Sequence, residues 1–237
     1  MSRNPDSYSK LAKEIRSTFK KGSEISGLNL AGCRYLRACI NEALRLNPPA
    51  PGTLWRELAP EDADRPFLVD GNLIPRGTMV GVNVYSLHHN EEYFPEPFRF
   101  NPDRWLSSTT NGDDNITQHS AISDNESIHL PADSKRSADA FIPFSTGTRS
   151  CVGKAMAYLE TSLVIAKTLW YFDFEPAGGK LGSVGTRELN LPNGRGKVEE
   201  FELFDTLTAT HDGPYLVFRP RDDSCREELS MRSGKSE

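Results

Sequence analysis

The chain has 237 residues, 37% of them hydrophobic, which is enough to bury a substantial core in one large domain or two small ones. Its 28 Lys and Arg against 33 Asp and Glu give a formal net charge of -5, with both signs spread along the chain, and this excludes the basic stripe of a nucleic-acid-binding surface. Cys33, Cys39, Cys151 and Cys225 are spaced too widely for a zinc pair or a small disulfide framework, so a reducing, intracellular setting is expected. Met1 to Arg16 is polar and charged, unlike a signal peptide or membrane anchor, and no run of about 18 apolar residues occurs to span a bilayer.

From about Pro5 to Lys21 the segment lacks strong breakers and places Leu11, Ile15 and Phe19 four residues apart, predicting an amphipathic helix. After Gly27, the positions Leu36, Cys39, Ile40, Ala43 and Leu44 follow a second helical stride, which Asn47-Pro48-Pro49 ends because proline excludes its predecessor from helical geometry. Between Thr53 and Val84, short apolar runs alternate with turn signals at Asp70-Gly71-Asn72 and Pro75-Arg76-Gly77, predicting a small antiparallel sheet. The tandem His88-His89 invites a metal reading, but neighbours on a strand point to opposite faces and do not converge. A Pro-rich stretch follows from Phe94 to Pro102.

Residues 107–139 are dominated by Ser, Thr, Asn and Asp and read as a solvated or disordered insertion. Asn115-Ile116-Thr117 and Asn125-Glu126-Ser127 match glycosylation acceptors there, which chance explains in the absence of a secretory signal, and His119 and His129 are isolated. Val152, Met156, Leu159, Leu163, Ala166 and Trp170 mark a helix of roughly five turns with one apolar stripe, in which Met156 and Trp170 are expected in the core. Residues 172–221 are Gly-rich, and the period-two run Tyr215-Leu216-Val217-Phe218 predicts a terminal hairpin, with a charged, frayed tail over the last dozen residues.

The run Phe144-Ser145-Thr146-Gly147-Thr148-Arg149-Ser150-Cys151-Val152-Gly153 joins a cysteine, two glycines, an arginine and a helix start. An iron-bound thiolate needs its charge stabilised, and the first free backbone N–H groups of the following helix, with the positive end of its dipole, can do that. Gly147 permits a turn that a side chain would obstruct, Gly153 lets the helix pass close to a flat macrocycle, and Arg149 can pair with an acidic group such as a haem propionate.

This run resembles the haem loop of the cytochrome P450 family, F-x-x-G-x-R-x-C-x-G, at all its fixed positions. Glu42-Ala43-Leu44-Arg45 resembles the family's E-x-x-R helix, in which i, i+3 spacing puts carboxylate and guanidinium on one face. Phe100-Asn101-Pro102-Asp103-Arg104-Trp105 is similar to its P-E-R-F segment, with Asp for Glu and Trp for Phe. The resemblance covers about Asn4 to Arg221 and implies a mainly α fold with small β-sheets (α+β), the C-terminal half of the family's single domain.

The resemblance implies haem b with an axial thiolate from Cys151, Phe144 beside the sulfur and Arg149 on a propionate. It also implies a structural, non-catalytic triad of Glu42, Arg45 and Arg104, and substrate contacts from Pro51-Gly52-Thr53-Leu54 and Leu207-Thr208-Ala209. The implied reaction inserts one oxygen atom of dioxygen into a small lipophilic substrate, with electrons from an NADPH-dependent reductase on the cytoplasmic side of the endoplasmic reticulum. The insertion and the Pro-Gly-Thr-Leu-Trp segment look similar to fungal members of secondary metabolism.

Family members are about twice this long, and no A-G-x-x-T-like segment occurs, since Ala31-Gly32-Cys33-Arg34-Tyr35 has no Thr. The chain is therefore expected to lack the distal helix and the membrane anchor and to be a truncated form. The alternatives are a non-catalytic haem-binding remnant or interaction fragment, and a member that rearranges or dehydrates its substrate.

Overall fold

The computed structural model describes residues 1–62, 64–106, 132–184, 203–206 and 208–233. Residues 107–131, with the candidate glycosylation triplets, His119 and His129, lie outside the described residues, as does Leu207.

Helix α1 spans Pro5–Thr18, started by Pro5 in the first turn and Asp6 at the positive end of the dipole, and it buries Leu11, Ala12 and Ile15. It ends before the expected Lys21 because Phe19 turns extended and carries its ring into the core. The second predicted pattern divides into α2, Gly27–Ala31, and α3, Arg34–Leu46. The start of α3 is closed by a carboxylate from another helix: Glu14 accepts the backbone N–H groups of Tyr35 and Leu36, both at 2.8 Å. Along α3 the stripe is not the expected one, because Ala43 is exposed and Leu44 only partly buried. The last turn instead buries Glu42, Arg45 and Leu46, so an ion pair takes the place of an aliphatic face.

The predicted sheet over 53–84 is two separate ribbons. Strand β1, Thr53–Arg56, pairs antiparallel with β4, Val80–Asn83, in the register Leu54 to Val82; between them β2, Leu68–Val69, and β3, Asn72–Leu73, form a hairpin through the Asp70-Gly71 turn. His88 and His89 do not sit on a strand: Asn83 accepts the N–H of Ser86 at 2.8 Å and starts a short helix α4, Val84–His88. Helix α5, Ala132–Ala140, overlaps the end of the predicted polar insertion and is tied to the preceding loop by an Arg136–Glu92 ion pair.

Helix α6 spans Lys154–Tyr171 and buries Ala166, Leu169, Trp170 and Tyr171, packing against α1 and α3 around Leu11, Ile15, Leu36, Cys39 and Ile40. Each buried Leu or Ile among these contributes about 1.5–3 kcal/mol over its exposed state. Trp170 is core as expected, but Met156 is 64% exposed and Leu159 55%, so the first half of the stripe faces open space.

Strand β5, Phe172–Pro176, leaves α6 and pairs antiparallel with β8, Leu216–Pro220, while β6, Phe204–Thr206, and β7, Thr208–Thr210, form the hairpin. The period-two run thus belongs to a long-range ribbon, with Phe174 opposite Phe218, because the strand after α6 offers it an apolar partner. The expected frayed tail is largely α7, Asp223–Ser233, anchored by buried Cys225 and by the Tyr171 hydroxyl donating to Glu228 at 2.7 Å.

Candidate functional site

Glu42 and Arg45 lie one turn apart on α3, both at 0% exposure, and Arg45 donates to the two carboxylate oxygens of Glu42 at 2.9 Å each. Arg104, on the 3-10 turn Pro102–Trp105, adds its Nε at 3.1 Å, the Asn101 backbone N–H adds a bond at 2.9 Å, and the Trp105 indole another at 2.9 Å. Burial alone would raise the Glu42 carboxyl, but the hydrogen bond and charge of Arg45, the charge of Arg104 and the Asn101 N–H hold it below the ordinary carboxylate range. Arg45 in turn donates to the backbone carbonyls of His88 at 2.9 Å and Pro97 at 2.7 Å, locking α3 to the chain after α4.

His88 is also fully buried. Its Nε2 accepts the backbone N–H of Ile142 at 3.0 Å, its ring stacks on Phe141, and Phe141 packs against Trp105. Burial, with the charges of His89 and Arg45, pushes the imidazole down to about 4, although the backbone carbonyl of Arg45 beside the ring acts the other way. His89 stacks between Tyr85 and Phe98.

The chain from Ile142 to Gly153 is a tight loop. Ser145 donates its N–H to Ile142 O at 3.0 Å, Ser150 to Gly147 O at 3.0 Å, and Cys151 back across the loop to Phe144 O at 2.8 Å. Gly147 has φ +66, the left-handed backbone that favours glycine, and Ser145 takes φ 61 beside it. Cys151 is exposed at the mouth of the loop, and Lys154 N–H reaches its carbonyl at 3.2 Å to open α6. A Cβ added at Gly153 would meet the Cys151 sulfur at 3.8 Å and no other described atom within 4 Å, so the space beside the thiol is open. Arg149 is exposed on the same loop.

Phe144 packs on Tyr158 at 5.3 Å and lines a cavity of about 460 Å³ whose other walls include Ile40, Leu44, Ala157 and Ile165. A soft sulfur donor at a helix start, a glycine leaving room beside it and an adjoining apolar cavity fit a flat, apolar prosthetic group with one protein ligand.

The structure also brings together the expected substrate segments that it describes. Ala209 donates its N–H to Pro49 O at 2.7 Å, and a Cβ at Gly52 would stand 2.8 Å from the carboxylate of Asp205, so the β6–β7 hairpin lies on the Pro51, Gly52, Thr53 and Leu54 segment beside exposed Thr208.

Four participants escape sequence reasoning: His88, the Asn101 N–H, the indole of Trp105 as a donor, and Arg56, which reaches the Ser145 hydroxyl at 3.4 Å. Arg56 carries a signal, a cation ending the first strand after the E-x-x-R helix. The role of His88 shows no signal, because it depends on a segment far along the chain.

The sequence profile of the cytochrome P450 family, a haem-thiolate class, matches residues 1–198, and the chain belongs to that family. It is 38% identical over 225 residues to a cytochrome P450 monooxygenase of Gibberella zeae, covering 94% of this chain and 46% of that protein. It is 39% identical over 220 residues to cytochrome P450 monooxygenase AKT7 of Alternaria alternata, with 92% of this chain and 38% of that protein covered. It is 38% identical over 229 residues to cytochrome P450 monooxygenase apf7 of Gibberella fujikuroi, with 94% and 37% covered. The chain thus spans less than half the length of these relatives.

Proposed function

We propose that this chain forms the proximal, cysteine-bearing part of a haem-thiolate monooxygenase, acting on a small lipophilic substrate in fungal secondary metabolism. The observation that carries the reading is the exposed Cys151 thiol on a loop closed by its own N–H to Phe144, with open space at Gly153 and an apolar cavity behind Phe144.

Haem b, when bound, would supply the oxygen activation by which one oxygen atom of dioxygen enters the substrate. Cys151 would be the protein ligand, placed beside the free N–H groups and the positive dipole end at the start of α6. Phe144 would shield the sulfur, Gly147 and Gly153 would let loop and helix approach the ring, and Arg149 would pair with a propionate, with Arg56 as a second cation beside the loop. Glu42, Arg45 and Arg104 hold the chain behind that loop. Pro51, Gly52, Thr53, Leu54, Leu207, Thr208 and Ala209 contact substrate. An NADPH-dependent reductase on the cytoplasmic side of the endoplasmic reticulum supplies electrons. Among the described residues no helix is long and apolar enough to cross a membrane.

A carbon monoxide difference spectrum of the reduced, haem-loaded protein tests this. The expected result is the thiolate signature in the parent chain and its loss in Cys151→Ser. An unchanged spectrum in the variant overturns the assignment.

A further inference from the structure

We propose that His88 is a positioning residue for the Cys151 loop: its neutral imidazole, protonated on Nδ1, receives the Ile142 N–H and transmits the fixed geometry of the Glu42–Arg45 pair to the cysteine. The inference rests on the reading of Cys151 as the haem ligand.

An unbroken path of hydrogen bonds and adjacent residues supports it. Arg45, held by Glu42, donates to the His88 carbonyl at 2.9 Å. The His88 ring accepts from Ile142 at 3.0 Å, the Ile142 carbonyl accepts from Ser145 at 3.0 Å, and the neighbouring Phe144 carbonyl accepts from Cys151 at 2.8 Å. His88 is thus the one side chain on this path between a fully buried ion pair and an exposed loop, gripped by its backbone at one end and its ring at the other.

The tautomer follows from the partner. A backbone N–H only donates, so Nε2 must offer its lone pair and the ring proton must sit on Nδ1. Nδ1 is buried and makes no full hydrogen bond among the described residues. The Arg45 backbone carbonyl, which has no helical N–H to accept because Pro49 stands four residues on, nonetheless lies close enough to favour a proton there. Leaving a polar N–H unpaired in a buried site is costly, and the arrangement persists because backbone, ring stack and Nε2 bond all determine it together. A second apolar residue would fill this space without that cost, which argues that the acceptor at Nε2 is what the site requires.

The test compares His88→Leu, which removes the acceptor, with His88→Gln, whose side-chain oxygen can take the place of Nε2. Amide hydrogen exchange over residues 141–153 of the full chain should speed up by about tenfold or more in the leucine variant, with α1 and α3 unchanged, and return towards the parent rate in the glutamine variant. In the haem-loaded protein, the leucine variant should shift the carbon monoxide spectrum from the thiolate to the thiol form, and glutamine should restore it. Equal loop exchange in the parent and leucine chains overturns the proposal. Should the leucine variant fail to fold, nitrogen-15 NMR of the parent decides: Nδ1–H with an accepting Nε2 supports it, and an Nε2–H tautomer overturns it. A parent chain with no thiolate spectrum would remove the haem reading, whereas the exchange and tautomer results would still decide the role of His88 in the loop.

Discussion

Around Glu42 the chain gathers Arg45, Arg104, Asn101 and Trp105 onto one buried carboxylate, whereas around Cys151 it builds an exposed loop held almost entirely by its own backbone. Both regions are built from short polar motifs, but they are stabilised in different ways. Buried charges persist only when every member is paired, so the first region carries stability and order. The second region presents an exposed thiol near the cavity that Phe144 lines, and it is there that the proposed chemistry falls. His88 is the contact between them.

The sharpest way to break the comparison is Arg45→Met. It leaves Glu42 buried with its main partner gone and should cost about 3–5 kcal/mol in urea unfolding, if the variant folds at all. A cost below about 1 kcal/mol would show that the pair is not the anchor that its burial suggests.

Acid should find the contact next. His88 has an ordinary value of 6.5 and is pushed down to about 4 in the folded chain, so the unfolded chain binds its proton more readily. The stability from keeping it neutral is fully present above pH 6.5 and is lost as pH falls towards 4. Unfolding at pH 7 and pH 5 should differ by about 2 kcal/mol more in the parent than in His88→Gln. Glu42, held low, contributes in a more acidic window, losing stability only as pH falls below its ordinary 4.5.

Trp105→Phe removes one charge-assisted bond from Glu42 while keeping an aromatic ring against Phe141, and should cost about 1.5 kcal/mol in the same assay. An unchanged stability would mean that the other donors already satisfy the carboxylate. The smallest effect belongs to the loop: Cys151→Ser should shift stability by less than about 0.5 kcal/mol, because the side chain is exposed. The same substitution should nonetheless abolish the spectral signature, which separates chemistry from stability at one residue.

Local patterns carried much of this architecture. The stride of Leu11 and Ile15, the proline stop after Asn47, the Asp70-Gly71 turn and the loop from Phe144 to Gly153 are all written in neighbouring residues, because helix period, turn conformation and cap chemistry act over a few positions. The i, i+3 spacing of Glu42 and Arg45 likewise put both on one helix face, where the structure pairs them.

Burial and long-range partners were decided by tertiary structure. Met156 and Leu159 follow a core stride but face open space, Ala43 yields its face to an ion pair, and Leu216 to Phe218 pair with the strand after α6 instead of a local neighbour. His88 became a buried acceptor only because Ile142, far along the chain, returns to it. The physical reason is common to all four: periodicity specifies which residues share a face, but what that face meets is set by segments distant in sequence, and only their packing determines whether a side chain is core, contact or surface.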